Sequence, residues 1–402
     1  MTDTRQVGAA RPYPFSEPDR LTLDPLYAEL RRREPVTRVR LPFGEEAWLA
    51  TRYQDVKVVL GDPRFSRAAA VGRDEPRISP QPISGGIMSM DPPDHSRLRR
   101  LVAKAFTARR VEQLRPGTAA IAAELIDAMV AAGPPADLVE SFSTPLPVRV
   151  ICRLLGVPPS DQHLFRTWSE AIVSTTSLPP ETIIEYLGSL QAYMAGLIAE
   201  RRETPTDDLI GALVQARDED NDRLTEQEMV ELAAGLLAAG HETTVTQISN
   251  FVYVLLTHPE QLAILRARPE LVPGAVEELL RYVPLGAAGL FARYATEDLE
   301  LSGVRIRAGE PVIAAMSAAN RDATVFDEPD RLDITRGAGP HLGFGHGVHH
   351  CLGAQLARME LQVALGTLLH RLPELRLAVD EKRLEWKSGL LVRGLRALPV
   401  TW

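Results

Sequence analysis

The residues of this chain that are best suited to chemistry lie between Phe344 and Gly353. The segment reads Phe-Gly-His-Gly-Val-His-His-Cys-Leu-Gly, and its three glycines permit tight turns and a close approach to a flat ligand. A helical pattern opens at Cys351 and continues to Arg371. The free N–H groups and the positive dipole end at the start of a helix favour a thiolate. We therefore expect Cys351 to be a ligand or a nucleophile, as is usual for a lone cysteine in a reducing compartment.

Other roles for Cys351 also fit the residue types. An isolated cysteine is most often buried and structural. Zinc sites usually contain paired cysteines, and the only other cysteine is Cys152, so a zinc site is poorly supported. Covalent haem attachment of the c type needs Cys-x-x-Cys-His, which the sequence lacks. The histidines that a zinc site would have to use are His341, His346, His349 and His350.

A second set of polar residues lies inside the most apolar helical pattern of the chain, Leu232–Leu256. Thr225 precedes Glu228 by three residues, which is the spacing of a capping box, so a long central helix is predicted over 225–256. Its middle reads Ala239-Gly240-His241-Glu242-Thr243-Thr244. Polar groups in a buried helix are costly unless something uses them. The run is either a satisfied polar kink in the core or part of a functional site.

Helical periodicity dominates the rest of the chain and indicates a mostly α protein with a small sheet. The predicted helices are Pro25–Arg33, Ser96–Phe106, Arg110–Ala132, Pro145–Leu155, Gln162–Val173, Pro180–Arg202, Thr225–Leu256, Pro259–Arg268, Val272–Arg281 and Cys351–Arg371. The predicted strands are Val36–Leu41, Ala47–Thr51, Leu299–Leu301, Val304–Ile306 and Pro311–Ala314. Residues 1–60 and 292–315 should therefore contribute a β-rich lobe, and Asp62–Asp94 should form a functional or mobile loop.

The composition excludes several classes of protein. With 402 residues, 45 Lys+Arg and 53 Asp+Glu, the chain has a formal charge of −8, which argues against a general nucleic-acid binder. Its 45% hydrophobic and 24% charged residues are typical of a globular protein and not of a disordered chain or a disulfide scaffold. Neither a signal-peptide pattern nor an uncharged apolar run of 18 residues is visible in the sequence, so we expect a soluble cytoplasmic protein without a membrane partner.

The segment from Phe344 to Gly353 resembles the haem-binding loop of the cytochrome P450 family. The family pattern Phe-Gly-x-Gly-x-His-x-Cys-x-Gly is matched at every fixed position, and a chance match is on the order of 10⁻⁶ per chain. The run Ala239–Thr244 resembles the family's oxygen-binding groove, and Glu278-Leu279-Leu280-Arg281 resembles its ion-pair motif. The resemblance implies the cytochrome P450 fold, a mostly α (α+β) architecture. It would form a single catalytic domain over 1–402, with the oxygen-binding helix at 225–256 and the thiolate loop at 344–353.

The resemblance also implies roles for individual residues. Cys351 would be the thiolate ligand of the haem iron. The other residues predicted to bind haem b, mainly through its propionates, are His95, Arg99, Arg293, Phe344 and His349. Glu242 and Thr243 would relay protons to oxygen in the pocket. The residues predicted to form a structural ion-pair network are Glu278, Arg281 and Arg331.

Segments that line the family's pocket are mainly apolar in this chain, which implies a hydrophobic substrate. The predicted substrate contacts are Met88, Leu237, Ala238, Leu285, Leu290 and Leu391. The short segment Thr175–Pro180 separates two predicted helices and is expected to act as a mobile lid.

By resemblance, the chain is a soluble bacterial monooxygenase of the actinomycete type, which inserts one atom of O₂ by hydroxylation or epoxidation. The expected substrate is a polyketide, macrolide or terpenoid of antibiotic-type biosynthesis. Electrons would come from NAD(P)H through a ferredoxin reductase and a ferredoxin, which a basic helix face of Arg97, Arg100 and Lys104 would attract. A peroxide-driven haem oxidase and a non-catalytic haem-thiolate sensor are the alternatives, and the pair Glu242–Thr243 argues against both.

Overall fold

The computed structural model describes residues 9–82, 85–219, 224–286, 291–337 and 339–402, and helix is the dominant element in these ranges. The helices are α1 (Leu26–Arg33), α2 (Tyr53–Gly61), α3 (Asp94–Ala103), α4 (Ala108–Ala132), α5 (Pro145–Leu155), α6 (Gln162–Val173), α7 (Pro180–Glu203), α8 (Leu209–Glu219), α9 (Glu226–Thr257), α10 (Pro259–Ala267), α11 (Val272–Tyr282), α12 (Met316–Ala319) and α13 (Ala354–Arg371). None of these helices has the length and hydropathy needed to cross a bilayer.

The strands are short and belong to three sheets. They are β1 (Arg11–Pro12), β2 (Val36–Arg40), β3 (Ala47–Ala50), β4 (Phe65–Ser66), β5 (Ala136–Asp137), β6 (Arg293–Ala295), β7 (Leu299–Leu301), β8 (Val304–Ile306), β9 (Pro311–Ala314), β10 (Arg376–Leu377) and β11 (Pro399–Thr401). The main sheet has the order β1-β2-β3-β9-β6-β4, and the smaller sheets are β10-β11-β5 and β7-β8. In the main sheet β1 is parallel to β2 and β3 to β9, while the other neighbours are antiparallel.

The chain divides into two compact units, and the first contains the main sheet. This sheet unit comprises Met1–Asp91, Gly286–Arg331 and Pro340–Cys351. Side chains alternate between the two faces of a strand, and all four residues of β3 are buried. Trp48 of β3 belongs to an apolar cluster with α2, whereas Leu49 belongs to a second cluster with α1. The sheet is therefore covered on both faces.

The second unit, called the helical unit, comprises Pro92–Leu285, Leu332–Gly339 and Leu352–Trp402. Its longest element is α9, whose 32 residues span about 48 Å. The hydroxyl of Thr225 accepts a hydrogen bond from the Glu228 N–H at 3.1 Å, and the Glu228 carboxylate accepts one from the Thr225 N–H at 2.8 Å. The predicted capping box is thus confirmed. Every residue of α9 from 245 to 255 is buried, as expected for a helix that packs against α5, α7 and α13.

Most predicted bounds agree with the structure within three residues, and those of α5 and α6 agree fully. Three helices, α2, α8 and α12, were not predicted; α2 contains three valines, whose branched side chains favour strands. The predicted start of the last helix at Cys351 is three residues too early, because Leu352 and Gly353 form a turn and α13 begins at Ala354. That residues 1–402 act as one catalytic domain stays a prediction.

Candidate active site

Cys351 ends a loop of consecutive tight turns in the sheet unit. Its N–H donates to the carbonyl oxygen of Phe344 at 2.9 Å, and the His350 N–H donates to Gly347 O at 3.0 Å. Gly345 and Gly347 both have φ of +73°, a conformation that other residues rarely adopt. The loop thus returns on itself, and it leaves the thiol of Cys351 exposed.

Gly347 also allows the loop to approach the C-terminal end of α2 closely. A Cβ atom at this position would lie 2.3 Å from Leu60 O and 2.8 Å from the Cα atom of Gly61. A Cβ atom on Gly61 would in turn lie 3.0 Å from the ring of His346. The thiolate loop is therefore packed on α2 through glycines on both sides, which fixes its position within the sheet unit.

Two buried guanidinium groups lie in the same unit. Arg293 of β6 is buried, and its pKa is lowered to about 10 by burial and by the charge of Arg67, an effect that Asp91 partly offsets. Arg67 is almost fully buried and forms an ion pair with Glu75 at 3.2 Å. Among the described residues its Nη2 atom has no hydrogen-bond partner. Buried charges are normally paired, so this region is suited to an additional anionic group.

The predicted haem residues of the helical unit lie on α3. His95 is buried and Arg99 is half-buried, one helical turn apart on the same face. Arg97, which the sequence assigned to an exposed basic face, instead forms a bidentate ion pair with Glu228, with Nη1–Oε2 at 3.2 Å. This pair raises the pKa of Arg97 and lowers that of Glu228, because each charge stabilises the other.

The residues present fit a haem group. An exposed thiol on a turn-rich loop suits an iron ligand, and two buried cations with an unsatisfied donor suit propionate carboxylates. Within the described ranges, no group of three His, Cys, Asp or Glu side chains has the arrangement of a metal site. Phe344 and His349 belong to the same loop as Cys351.

Glu242 and Thr243 lie in the middle of α9, and each has a partner within the helical unit. The carboxylate Oε1 of Glu242 accepts a hydrogen bond from Lys387 Nζ at 2.7 Å. Thr243 donates its hydroxyl to Ala239 O at 2.8 Å. Successive side chains on a helix are about 100° apart, so the two groups face different neighbours. Sequence reasoning missed Lys387, because no local pattern relates positions 242 and 387.

Gly240 has a packing role in α9. A Cβ atom at this position would lie 3.0 Å from Cδ1 of Ile151 on α5. The glycine therefore permits close contact of α5 and α9 beside the polar run.

The buried ion-pair network contains a residue that the sequence did not indicate. Glu278 is 1% exposed and binds Arg281 through two hydrogen bonds of 2.7 and 2.8 Å. The same carboxylate accepts from Arg336 Nε at 3.2 Å and from the Asp333 N–H at 2.9 Å. Arg331 forms an exposed ion pair with Glu328 at 3.1 Å. Within the helical unit, Arg336 therefore joins Glu278 and Arg281 in the network, where the turn at Asp333 directs it towards Glu278, and the assignment of Arg331 stays a prediction.

The predicted substrate contacts are distributed over both units. Leu237 and Ala238 are buried on α9, Leu285 is half-buried, and the buried Leu391 donates its N–H to Val173 O at 2.7 Å. Met88 is 42% exposed in a short 3₁₀ turn of the sheet unit. Leu290 lies outside the described residues.

The first half of the predicted lid is hydrogen-bonded rather than free. The N–H groups of Thr175, Thr176 and Ser177 all converge on Gly389 O, at 2.8, 3.1 and 3.2 Å. Ser174 and Leu390 form an isolated antiparallel bridge beside them.

Comparison with known proteins connects this geometry to a family. The family model for cytochrome P450 matches residues 181–393. The mycinamicin IV hydroxylase/epoxidase of Micromonospora griseorubida is 58% identical over 392 residues, which cover 98% of each chain. The nocardicin C N-oxygenase of Nocardia uniformis subsp. tsuyamanensis is 53% identical over 403 residues, which cover 100% of this chain and 99% of that enzyme.

Solved structures agree with this relationship. HinD, solved with NMFT and NO, has a TM-score of 0.95 at 55% identity, and the match covers 98% of this chain and 100% of that one. A variant of the mixed-function P450 MycG in complex with mycinamicin IV has a TM-score of 0.92 at 58% identity, with the same coverage. The predicted fold is confirmed, and the chain belongs to the cytochrome P450 family as a cytochrome P450 monooxygenase.

Proposed function

We propose that this monooxygenase hydroxylates or epoxidises a macrolide-type secondary metabolite. The observation that carries the proposal is the 58% identity, over 98% of both chains, to an enzyme named for the hydroxylation and epoxidation of mycinamicin IV. The buried, apolar side chains of Leu237, Ala238 and Leu391 support a hydrophobic substrate. N-oxygenation is a second candidate reaction, because the nocardicin C N-oxygenase is 53% identical over the whole chain.

The residues present would hold a haem group as follows. The sulfur of Cys351 would bind the iron, and Arg293, supported by Arg67, would bind a propionate. His349 in the loop and the pair His95 and Arg99 on α3 would provide the remaining polar contacts to the propionates, and Phe344 would pack near the sulfur. When bound, haem supplies the activation of O₂ and the transfer of one oxygen atom to the substrate.

The proton supply is assigned to α9. The Thr243 hydroxyl would present a proton to the pocket at Oγ1, and the Glu242 carboxylate would carry protons inward from water. The buried neighbours Leu237 and Ala238 would exclude bulk water, so that protons arrive only through this pair.

The electron supply is assigned to NAD(P)H, a ferredoxin reductase and a ferredoxin. A cavity of about 970 Å³ in the helical unit supports the docking of an acidic ferredoxin. The cationic side chains that line it, besides the paired Arg97, are Arg100, Lys104, Arg110 and Arg153. This set replaces the basic face predicted from α3 alone, and salt should weaken its attraction for a partner. A cytoplasmic location stays a prediction.

The first experiment is the absorption spectrum of the dithionite-reduced protein with carbon monoxide, for the wild type and for Cys351→Ser. A strongly red-shifted band that is lost in the variant is the expected result. An imidazole-type band that survives the substitution would overturn the ligand assignment. Cys152→Ser is the matched control, because Cys152 is fully buried on α5 and should leave the band unchanged.

The substrate class is then tested by turnover with mycinamicin IV and nocardicin C, using a surrogate ferredoxin, its reductase and NADPH. Oxygenated mycinamicin IV supports the macrolide proposal, and oxidised nocardicin C alone supports N-oxygenation. Oxidation of neither compound would reject both proposals. Turnover with hydrogen peroxide but not with NADPH would indicate a peroxide-driven oxidase, and a bound haem without any turnover would indicate a sensor.

A further inference from the structure

The segment from Trp386 to Leu395 of the helical unit is a short closed loop. Trp386 and Leu395 form an isolated antiparallel bridge, and the Lys387 N–H donates to Gly394 O at 2.8 Å. We call this segment the 386–395 loop. Its two ends are fixed to each other, so a movement at one position is transmitted to its neighbours.

Near its start, the 386–395 loop binds the carboxylate of Glu242 on α9 through Lys387. Lys387 Nζ donates to Glu242 Oε1 at 2.7 Å, and the side chains are only 23% and 11% exposed. Water screens such a partly buried pair less than it screens a surface pair. While the pair is intact, the Glu242 carboxylate is bound to Lys387, and the Thr243 hydroxyl donates to Ala239 O.

The other side of the loop holds the segment between α6 and α7. Gly389 O accepts three N–H groups from Thr175, Thr176 and Ser177, and Leu391 N–H donates to Val173 O. Gly389 has φ of +68°, and a Cβ atom there would lie 2.6 Å from the Thr176 hydroxyl. Only one residue, Ser388, separates Gly389 from Lys387. The loop thus joins the predicted lid to the acid.

We propose that Lys387 is a positioning residue that holds Glu242 in an idle state, and that displacement of the 174–177 segment by substrate releases it through the 386–395 loop. The released carboxylate rotates towards Thr243, takes a proton from water and passes one on, so no proton is gained or lost by the chain. Proton delivery is thereby linked to occupancy of the pocket. This inference rests on the proposed role of Glu242 as the relay acid.

The test is the fate of O₂ in the holoenzyme without substrate, supplied with NADPH, a surrogate ferredoxin and its reductase. Reduction to peroxide consumes two electrons and two protons for each O₂, and reduction to water consumes four of each. The readout is peroxide released per O₂ consumed, measured at the same ferredoxin and reductase concentrations for every variant. A substitution that merely disturbs the pocket should increase the release of peroxide. A Glu242 carboxylate that is no longer held by Lys387 should instead favour the reduction of O₂ to water.

Lys387→Met should lower the peroxide fraction at least twofold and raise the NADPH-to-O₂ ratio towards 2. Lys387→Arg should restore the wild-type fraction because it retains the charge. Gly389→Ala should act in the same direction as Lys387→Met, and the double variant should show no additional change. Lys382→Met is the control. This lysine is exposed and lies shortly before the 386–395 loop in the chain, so its substitution should have no effect.

An unchanged or higher peroxide fraction in Lys387→Met would overturn the inference. Additive effects of Lys387→Met and Gly389→Ala would overturn the link between the lid and the acid. Glu242→Gln separates this failure from that of the proposed function. If Glu242→Gln leaves the peroxide fraction and the solvent isotope effect on turnover unchanged, Glu242 is not the relay acid. If Glu242→Gln changes both but Lys387→Met changes neither, only the control by Lys387 is rejected.

Discussion

Arg336→Ala should destabilise the protein by about 2 kcal/mol, and Arg331→Ala by less than about 1 kcal/mol. Glu278 is 1% exposed, and it keeps its bonds to Arg281 and to the Asp333 N–H when Arg336 is removed. The variant therefore loses one charge-assisted hydrogen bond. This costs less than the roughly 3–5 kcal/mol that is lost when an isolated buried ion pair is broken. Arg331 and Glu328 are 55% and 62% exposed, and such surface pairs contribute about 0–1 kcal/mol.

The assay is urea unfolding of the haem-loaded protein, followed by far-UV circular dichroism and by haem absorbance. Both variants remove a guanidinium from the same stretch of chain, so each serves as the control of the other. With both probes, the free energy of unfolding of Arg336→Ala should be lower than that of Arg331→Ala. An equal loss in the two variants, or a larger loss for Arg331→Ala, would refute the assignment of Arg336 to the network.

Three further predictions concern protons and partners. Thr243→Ala should raise peroxide release per O₂ consumed during turnover, because it removes the hydroxyl that presents protons to the pocket. Glu360 is fully buried, and burial raises its pKa well above the usual range, so the folded protein binds a proton that the unfolded chain has lost at neutral pH. Stability from this group is lost as pH rises, and Glu360→Gln should therefore gain stability relative to the wild type between pH 5 and 8, by at most about 1.4 kcal/mol per pH unit in urea unfolding. Charge reversal at Arg100 and Lys104 should slow reduction by ferredoxin and reduce its salt dependence, as measured by stopped flow.

Each of these predictions has an outcome that contradicts it. Unchanged coupling in Thr243→Ala would remove that residue from the proton path, with Thr257→Ala, at the end of α9, as the control. A pH-independent difference between Glu360→Gln and the wild type would show that Glu360 is ionised when buried. If the charge-reversed protein is reduced at the same rate as the wild type, both at low salt and at high salt, the residues that line the cavity are not the docking surface.

The sequence predicted those features that depend on local spacing. The apolar period of α5 and α6 fixed their bounds, and the glycines of the loop before Cys351 indicated the tight turns that the structure contains. The helix start at Cys351 was predicted three residues too early, because Leu352 and Gly353 form a turn through which the apolar period continues, and periodicity does not distinguish the two.

Features that depend on contacts between distant positions were not predictable in the same way. Arg336 lies 58 residues after Glu278, and no local pattern indicates that the two side chains meet. Lys387 is separated from Glu242 by 145 residues, and nothing near either position indicates the pairing. A single sequence contains the residues of such a network without stating which of them meet.

The parallel pairing of β3 with β9 also determines when the main sheet can be completed during synthesis. Trp48 pairs with Val312, so 264 residues must be made after Trp48 before its partner exists. At about 5–20 residues per second, the ribosome needs roughly 13–50 s for this stretch. During that time the edge of β3 and the apolar side chains of Trp48 and Leu49 have no native cover from β9, and such edges promote association with other chains. The nascent amino-terminal segment is therefore a natural client for chaperones, and truncated products that end before β9 should aggregate.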